Sequence, residues 1–175
     1  MIMRHRCSNC SLHGHLLARA LPLALLLACL STSTLAAQQI ERCADAARFL
    51  AVDRGMSVVV DTQTIDDWRT QQKVRGCAVT AAGVTTIGQA QEAARFYERV
   101  RSAGWTRTPD PQDAPNEASL RFRKGKIDCL FNVYSGASLL TESETRVSEA
   151  VVPSAGEERY GVFAMCVPAM DAKRR

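Results

Sequence analysis

Beyond residue 15 the chain contains no histidine, since His5, His13 and His15 are the only three. Everything after them therefore lacks the Ser-His-Asp and Cys-His arrangements and any His-ligated zinc or iron site. There is no Gly-x-x-x-x-Gly-Lys phosphate loop and no dinucleotide fingerprint. Nor is there an apolar run long enough to cross a bilayer as a stable helix: the longest, Leu21–Leu30, falls well short of the roughly 20 residues required. Excess charge of one sign is also missing. The net charge of +4 includes Arg4, Arg6 and Arg19, and without them 19 basic residues face 18 acidic ones. Nucleic acid is not an expected partner of so neutral a domain.

What is present begins with an export segment. Arg4, Arg6 and Arg19 precede the apolar run, and Ser31–Ala37 is rich in small residues, so residues 1–37 read as a secretory signal peptide. Leu26-Leu27-Ala28-Cys29 also resembles a bacterial lipobox. In that alternative the signal ends before Cys29, which carries the lipid. A lipid anchor of this kind is the only membrane attachment the sequence offers, and it needs more than one acyl chain to hold. Cys7, Cys10, His13 and His15 have zinc-ligand chemistry, but their spacing is tight and they precede the export signal. No metal and no cofactor are expected.

Four cysteines remain beyond the signal: Cys43, Cys77, Cys129 and Cys166. An even count in an exported chain predicts two disulfides. Three pairings are open. Cys129 with Cys166 is favoured, because both fall in predicted strands of the C-terminal half, which leaves Cys43 to join a helix to Cys77.

The clearest local pattern is Ser119–Tyr134. Leu120 and Phe122 alternate with Arg121 and Arg123. Beyond Lys124-Gly125-Lys126, Ile127, Cys129, Phe131 and Val133 alternate with Asp128, Leu130, Asn132 and Tyr134. Period two with a central glycine predicts a β-hairpin with one apolar face. Residues 38–54, capped by Gly55, predict a helix. Met56–Asp61, Val74–Ala82 and Tyr160–Val167 predict strands. The 61–68 stretch reads either as a short helix or as part of a strand. Thr86-Ile87-Gly88-Gln89 has the form of a capping box and opens a helix with a stripe of Ile87, Ala90, Ala94, Tyr97 and Val100. Its solvated face is expected to carry Glu92 and Arg95. Residues 139–141 and 146–152 read as short strands flanking a mobile acidic region. The fold expected is a single α+β domain over residues 38–170. It has an antiparallel sheet of about five strands with two helices packed on one face, stapled by disulfides, and a basic tail at 171–175.

Three sets of candidate site residues stand out. Arg121, Arg123, Lys124 and Lys126 concentrate positive charge at the hairpin, for contact with an anionic envelope component or as guards of an edge strand. Asp110, Asp113, Asn116 and Glu117 put oxygen ligands on the proline-rich 109–117 loop, without the spacing or glycine of an EF-hand. Trp68, Trp105 and Tyr134 line either a binding surface or the core rim. Acidic pairs such as Asp66-Asp67 and Glu157-Glu158 point to opposite faces of any strand holding them, which disfavours two-carboxylate catalysis. The sequence is best read as an exported, periplasmic or secreted, non-enzymatic binding module of the envelope, whose partner is a protein or an envelope component. Its alternatives are an inhibitor of a secreted hydrolase presenting the 109–117 loop, and a carboxylate-dependent hydrolase.

Overall fold

The computed structural model describes residues 36–108 and 119–170. Residues 1–35 with Cys29 and the Cys7–His15 cluster, the 109–117 loop and the basic tail lie outside the described residues. A helical turn over residues 36–41 leads into α1 (Ala44–Arg48), which continues as a π-helical turn, Phe49–Asp53. Gly55 ends it at φ +65°, a conformation that costs a residue without Cβ little. Strands β1 (Ser57–Asp67) and β2 (Gln72–Thr85) form a long hairpin. Helix α2 (Gln89–Ser102) then crosses to the far edge, where β3 (Thr106–Arg107) pairs with β4 (Ser119–Lys124). Strand β5 (Ile127–Ser135) completes the predicted hairpin around Gly125. Helix α3 (Glu142–Glu149) precedes β6 (Glu158–Pro168), which inserts between β2 and β5.

The result is one antiparallel six-stranded sheet in the order β1-β2-β6-β5-β4-β3. The α+β class and the antiparallel sheet match the sequence reading. The sheet has six strands where about five were expected; the two-residue β3 falls within 105–108, a stretch that reads as the start of a strand. The 61–68 ambiguity resolves as strand, since β1 runs on to Asp67 against β2. The predicted strands at 139–141 and 146–152 are corrected to a loop, α3 and a second loop. Thr141 caps α3, its hydroxyl accepting the Glu144 N–H at 3.2 Å.

Register assigns the faces. On the first, Cys77, Val79 and Ala81 of β2 stand beside Cys166, Ala164 and Val162 of β6, and these beside Cys129, Phe131 and Val133 of β5. With Phe49, Leu50, Phe96, Tyr97, Val100 and Phe122 they form the core. Phe96 is edge-on to Phe49 and Tyr97, and Trp105 is edge-on to Phe131. Both bridges lie in this layer. Cys43–Cys77 links the start of α1 to β2, and Cys129–Cys166 joins directly paired residues of β5 and β6. Each closes a loop of more than 30 residues (sequence separations 34 and 37), for which chain entropy gives a stabilisation of about 3–4 kcal/mol.

The expected placement of two helices on one face holds for the N-terminal helix and α2. Helix α3 is a further helix and lies on the second face, where Ser143 meets Asp61 of β1 and Glu144 meets Tyr134 of β5. The stripe on α2 is also rotated. Helix α2 starts at Gln89 after Gly88, with no side-chain cap, and its buried residues are Glu92, Phe96, Tyr97 and Val100. Glu92 is therefore inside, not on the solvated face. Small residues complete the second face: a Cβ on Gly161 would run into the Tyr134 ring, and one on Gly76 would meet the Cys166 carbonyl at 2.5 Å.

Candidate functional site

The four hairpin cations do not share one surface. Arg121 is buried and Lys126 exposed. Arg123 donates to both oxygens of Asp128, at 2.6 and 2.9 Å, and to the Met170 carbonyl. Lys124 donates to the Ala103 carbonyl and sits 5.6 Å over the Trp105 ring. Alternation explains the split: Arg121 and Arg123 face the second side of the sheet with Asp128, whereas Lys124 faces the helices. The aromatics part in the same way. Trp105 is in the core, Tyr134 is buried on the second face, and Trp68 is half-buried in the β1–β2 turn.

The second face holds a closed ion network that sequence reasoning missed. Arg69, from the β1–β2 turn, donates to both oxygens of Asp67 at 2.9 Å and to Asp128 Oδ2 at 2.9 Å. Asp128, at 0% exposure, thus holds Arg69 and Arg123 together. Burial opposes ionisation of both acids. The guanidiniums of Arg69 (on both) and of Arg123 (on Asp128) outweigh it and hold the carboxyls below the ordinary aspartate value. Two acids do converge on an arginine here, but both are buried and committed to the ionised form. A general acid needs the opposite: a carboxyl raised toward working pH and open to a substrate.

A second buried cluster ties α2 to the sheet. Arg54 donates to Glu92 at 2.6 Å and to the Tyr160 hydroxyl at 3.0 Å, while Thr85 donates to the other Glu92 oxygen at 2.9 Å. It fixes the N-terminal turn of α2 against β2 and β6.

A fourth buried acid shapes the surface. Glu144 accepts the backbone N–H groups of Ser138, Leu139 and Leu140, at 3.0, 3.0 and 2.7 Å, and the Tyr134 hydroxyl also bonds to it. Burial would raise this carboxyl; the Ser138 and Leu140 amides, Tyr134 and the Leu139 amide hold it below its ordinary value. The loop wrapped around it presents Leu140 at φ +55° and 85% exposure. Left-handed backbone at a leucine costs about 1–2 kcal/mol and persists only where the surroundings impose it. Two clefts, each of about 290 Å³, flank the loop. One lies along α3, between Leu140, Thr145, Glu149 and Arg159. The other lies between β1 and the 139–143 segment, over Ala78, Thr80 and Phe163.

No protein-family model, curated protein or solved structure matches this chain.

Among the described residues no group of three or more His, Cys, Asp or Glu is placed to hold a metal ion. The carboxylates of the buried clusters are taken by their own partners, while Arg54 Nε has no hydrogen bond among the described residues. Besides the projecting Leu140 and the two clefts beside it, a cleft of about 310 Å³ lies at the β1–β2 turn, between Asp66, Asp67, Trp68 and Lys73.

Proposed function

We propose that the mature domain is an exported, non-enzymatic binding module of the bacterial envelope, and that it binds through the face carrying the 136–141 loop. The observation that carries this reading is Leu140, a large apolar side chain held outward, in an unfavourable backbone conformation, by a buried carboxylate. Burying such a side chain on a partner returns about 1.5–3 kcal/mol. Export is supported by two fully buried disulfides, which persist in oxidising compartments, together with the signal-like N-terminal segment.

The test is capture from an envelope extract with the exported protein immobilised, using Leu140→Asp as the control. The wild type is expected to retain a component in fixed stoichiometry, and Leu140→Asp to retain at least tenfold less at an unchanged melting temperature. Equal retention by the two proteins would remove this face from the account.

A further inference from the structure

We infer that the free edge of β1 takes up an extended polypeptide segment of a partner as an added strand, with a lysine or arginine of that segment entering the cleft beside Asp61. The inference rests on the reading of the protein as a binding module and names the chemistry of what it binds.

Strand β1 is at one end of the sheet, and among the described residues nothing pairs with its outer side. It spans 11 residues, where the other end strand, β3, spans two. About half of the residues in an antiparallel edge strand turn their N–H and C=O groups outward. Such an edge is a template for another chain, and proteins ordinarily guard it with lysine, proline or extreme shortness. β3 uses shortness. The β1 sequence, Ser-Val-Val-Val-Asp-Thr-Gln-Thr-Ile-Asp-Asp, contains no lysine, arginine or proline and is rich in β-branched residues; of its three charges, Asp66 and Asp67 are paired with Lys73 and Arg69. It is also rigid. Every residue pairs with β2, Val58 and Val60 pack on the core, and Ser143 of α3 donates to Asp61 at 2.6 Å on the opposite face. A strand already held straight loses little further freedom when a partner adds to it.

Strand addition gains affinity from main-chain bonds and specificity from pockets for alternate side chains. The cleft at mid-strand supplies such a pocket. Its floor is low because β2 carries small residues there, Ala78 and Thr80, and Phe163, Leu139 and Ser143 help wall it. Its charge is negative. Asp67 is committed to Arg69 and Asp66 to Lys73, whereas Asp61 has one hydrogen bond, from Ser143, and no cation among the described residues. A lysine of the added strand lies over β1 from its outer side, with its stem along Thr62 and Gln63 at the mouth of the cleft and its ammonium at Asp61. A second copy of this chain fits worse, because pairing β1 with β1 brings the aspartates of two copies onto one ladder.

Fluorescence anisotropy with the exported, disulfide-bonded protein tests this. The probe is a labelled peptide of alternating valine and threonine with one central lysine. It is expected to bind about tenfold more tightly than the same peptide with norleucine in place of lysine. Asp61→Asn is expected to erase that difference while leaving the norleucine peptide's affinity unchanged. Full N-methylation of the peptide is expected to abolish binding. Equal affinity for the lysine and norleucine peptides, undiminished binding of the N-methylated peptide, or no binding at millimolar concentration would each overturn the inference. A concentration-dependent dimer that the peptide cannot dissociate would overturn it too, by giving the edge to a second copy. Any of these failures leaves Leu140-dependent capture standing, so the two readings fail separately.

Discussion

Asp128→Ala is expected to lower the unfolding free energy by about 3–5 kcal/mol, the usual cost of removing one partner from a buried ion pair. Asp128 is fully buried and accepts from Arg69 at 2.9 Å and from Arg123 at 2.6 and 2.9 Å. Without it, Arg69 keeps Asp67 but faces an interior with one compensating charge fewer. The loss is a large share of the 5–15 kcal/mol that folded domains possess. Urea unfolding followed by circular dichroism measures it. A loss below 1 kcal/mol would mean that the network is wetter and weaker than its burial implies. The alternative reading, that Asp67 and Asp128 are catalytic carboxylates, makes an opposing prediction: their removal should leave stability intact or raise it, as strained active sites often do.

Glu144→Ala is expected to cost about 3 kcal/mol, because the Ser138, Leu139 and Leu140 amides and the Tyr134 hydroxyl all lose their acceptor. It should also release the loop, so that these three amides exchange hydrogen much faster than in the wild type. The same carboxylate predicts a pH dependence. Its folded pKa lies below the unfolded value of 4.5, so in acid the unfolded state binds the proton more readily. The stabilisation is complete well above pH 4.5 and is lost as pH falls through the lower, folded value. Asp67 and Asp128, lowered from 3.8, add losses of the same sign at more acid pH. Wild-type stability should therefore fall steadily below pH 4.5, and Glu144→Ala should fall less. Parallel acid profiles for the two proteins would contradict the assignment.

Much of the sheet was legible because its signals are local. Period two in Ser119–Tyr134 and in Tyr160–Val167, with Gly125 between the first pair of strands, needs no tertiary information. The two disulfides followed from cysteine count and strand placement. What was missed depended on distant partners. Thr86-Ile87-Gly88-Gln89 and Thr141-Glu142-Ser143-Glu144 are both hydroxyl-x-x-acid-or-amide boxes, yet only the second caps a helix with its threonine. The first fails because Thr85 and Glu92 are drawn into the cluster with Arg54 and Tyr160, and the helix begins three residues later. The second is hard to read because its acidic surroundings resemble a mobile surface. Glu92 and Glu144 likewise read as solvated charge; nothing near them in sequence announces Arg54, 38 residues away, or the fold of the 138–140 backbone onto a carboxylate. The ion network has the same character. Arg69 and Asp128 are 59 residues apart, and the cations at 121 and 123 read as a surface patch until β5 places Asp128 against the second of them.

The measurement that bears most directly on the whole account is the mass of the protein recovered from the periplasm, alkylated before reduction and then peptide-mapped. The account predicts a chain that starts near Gln38, or at a lipid-modified Cys29, with Cys43 bridged to Cys77, Cys129 bridged to Cys166, and no alkylated cysteine among the four. A full-length chain found in the cytosol with those four thiols alkylated would contradict it.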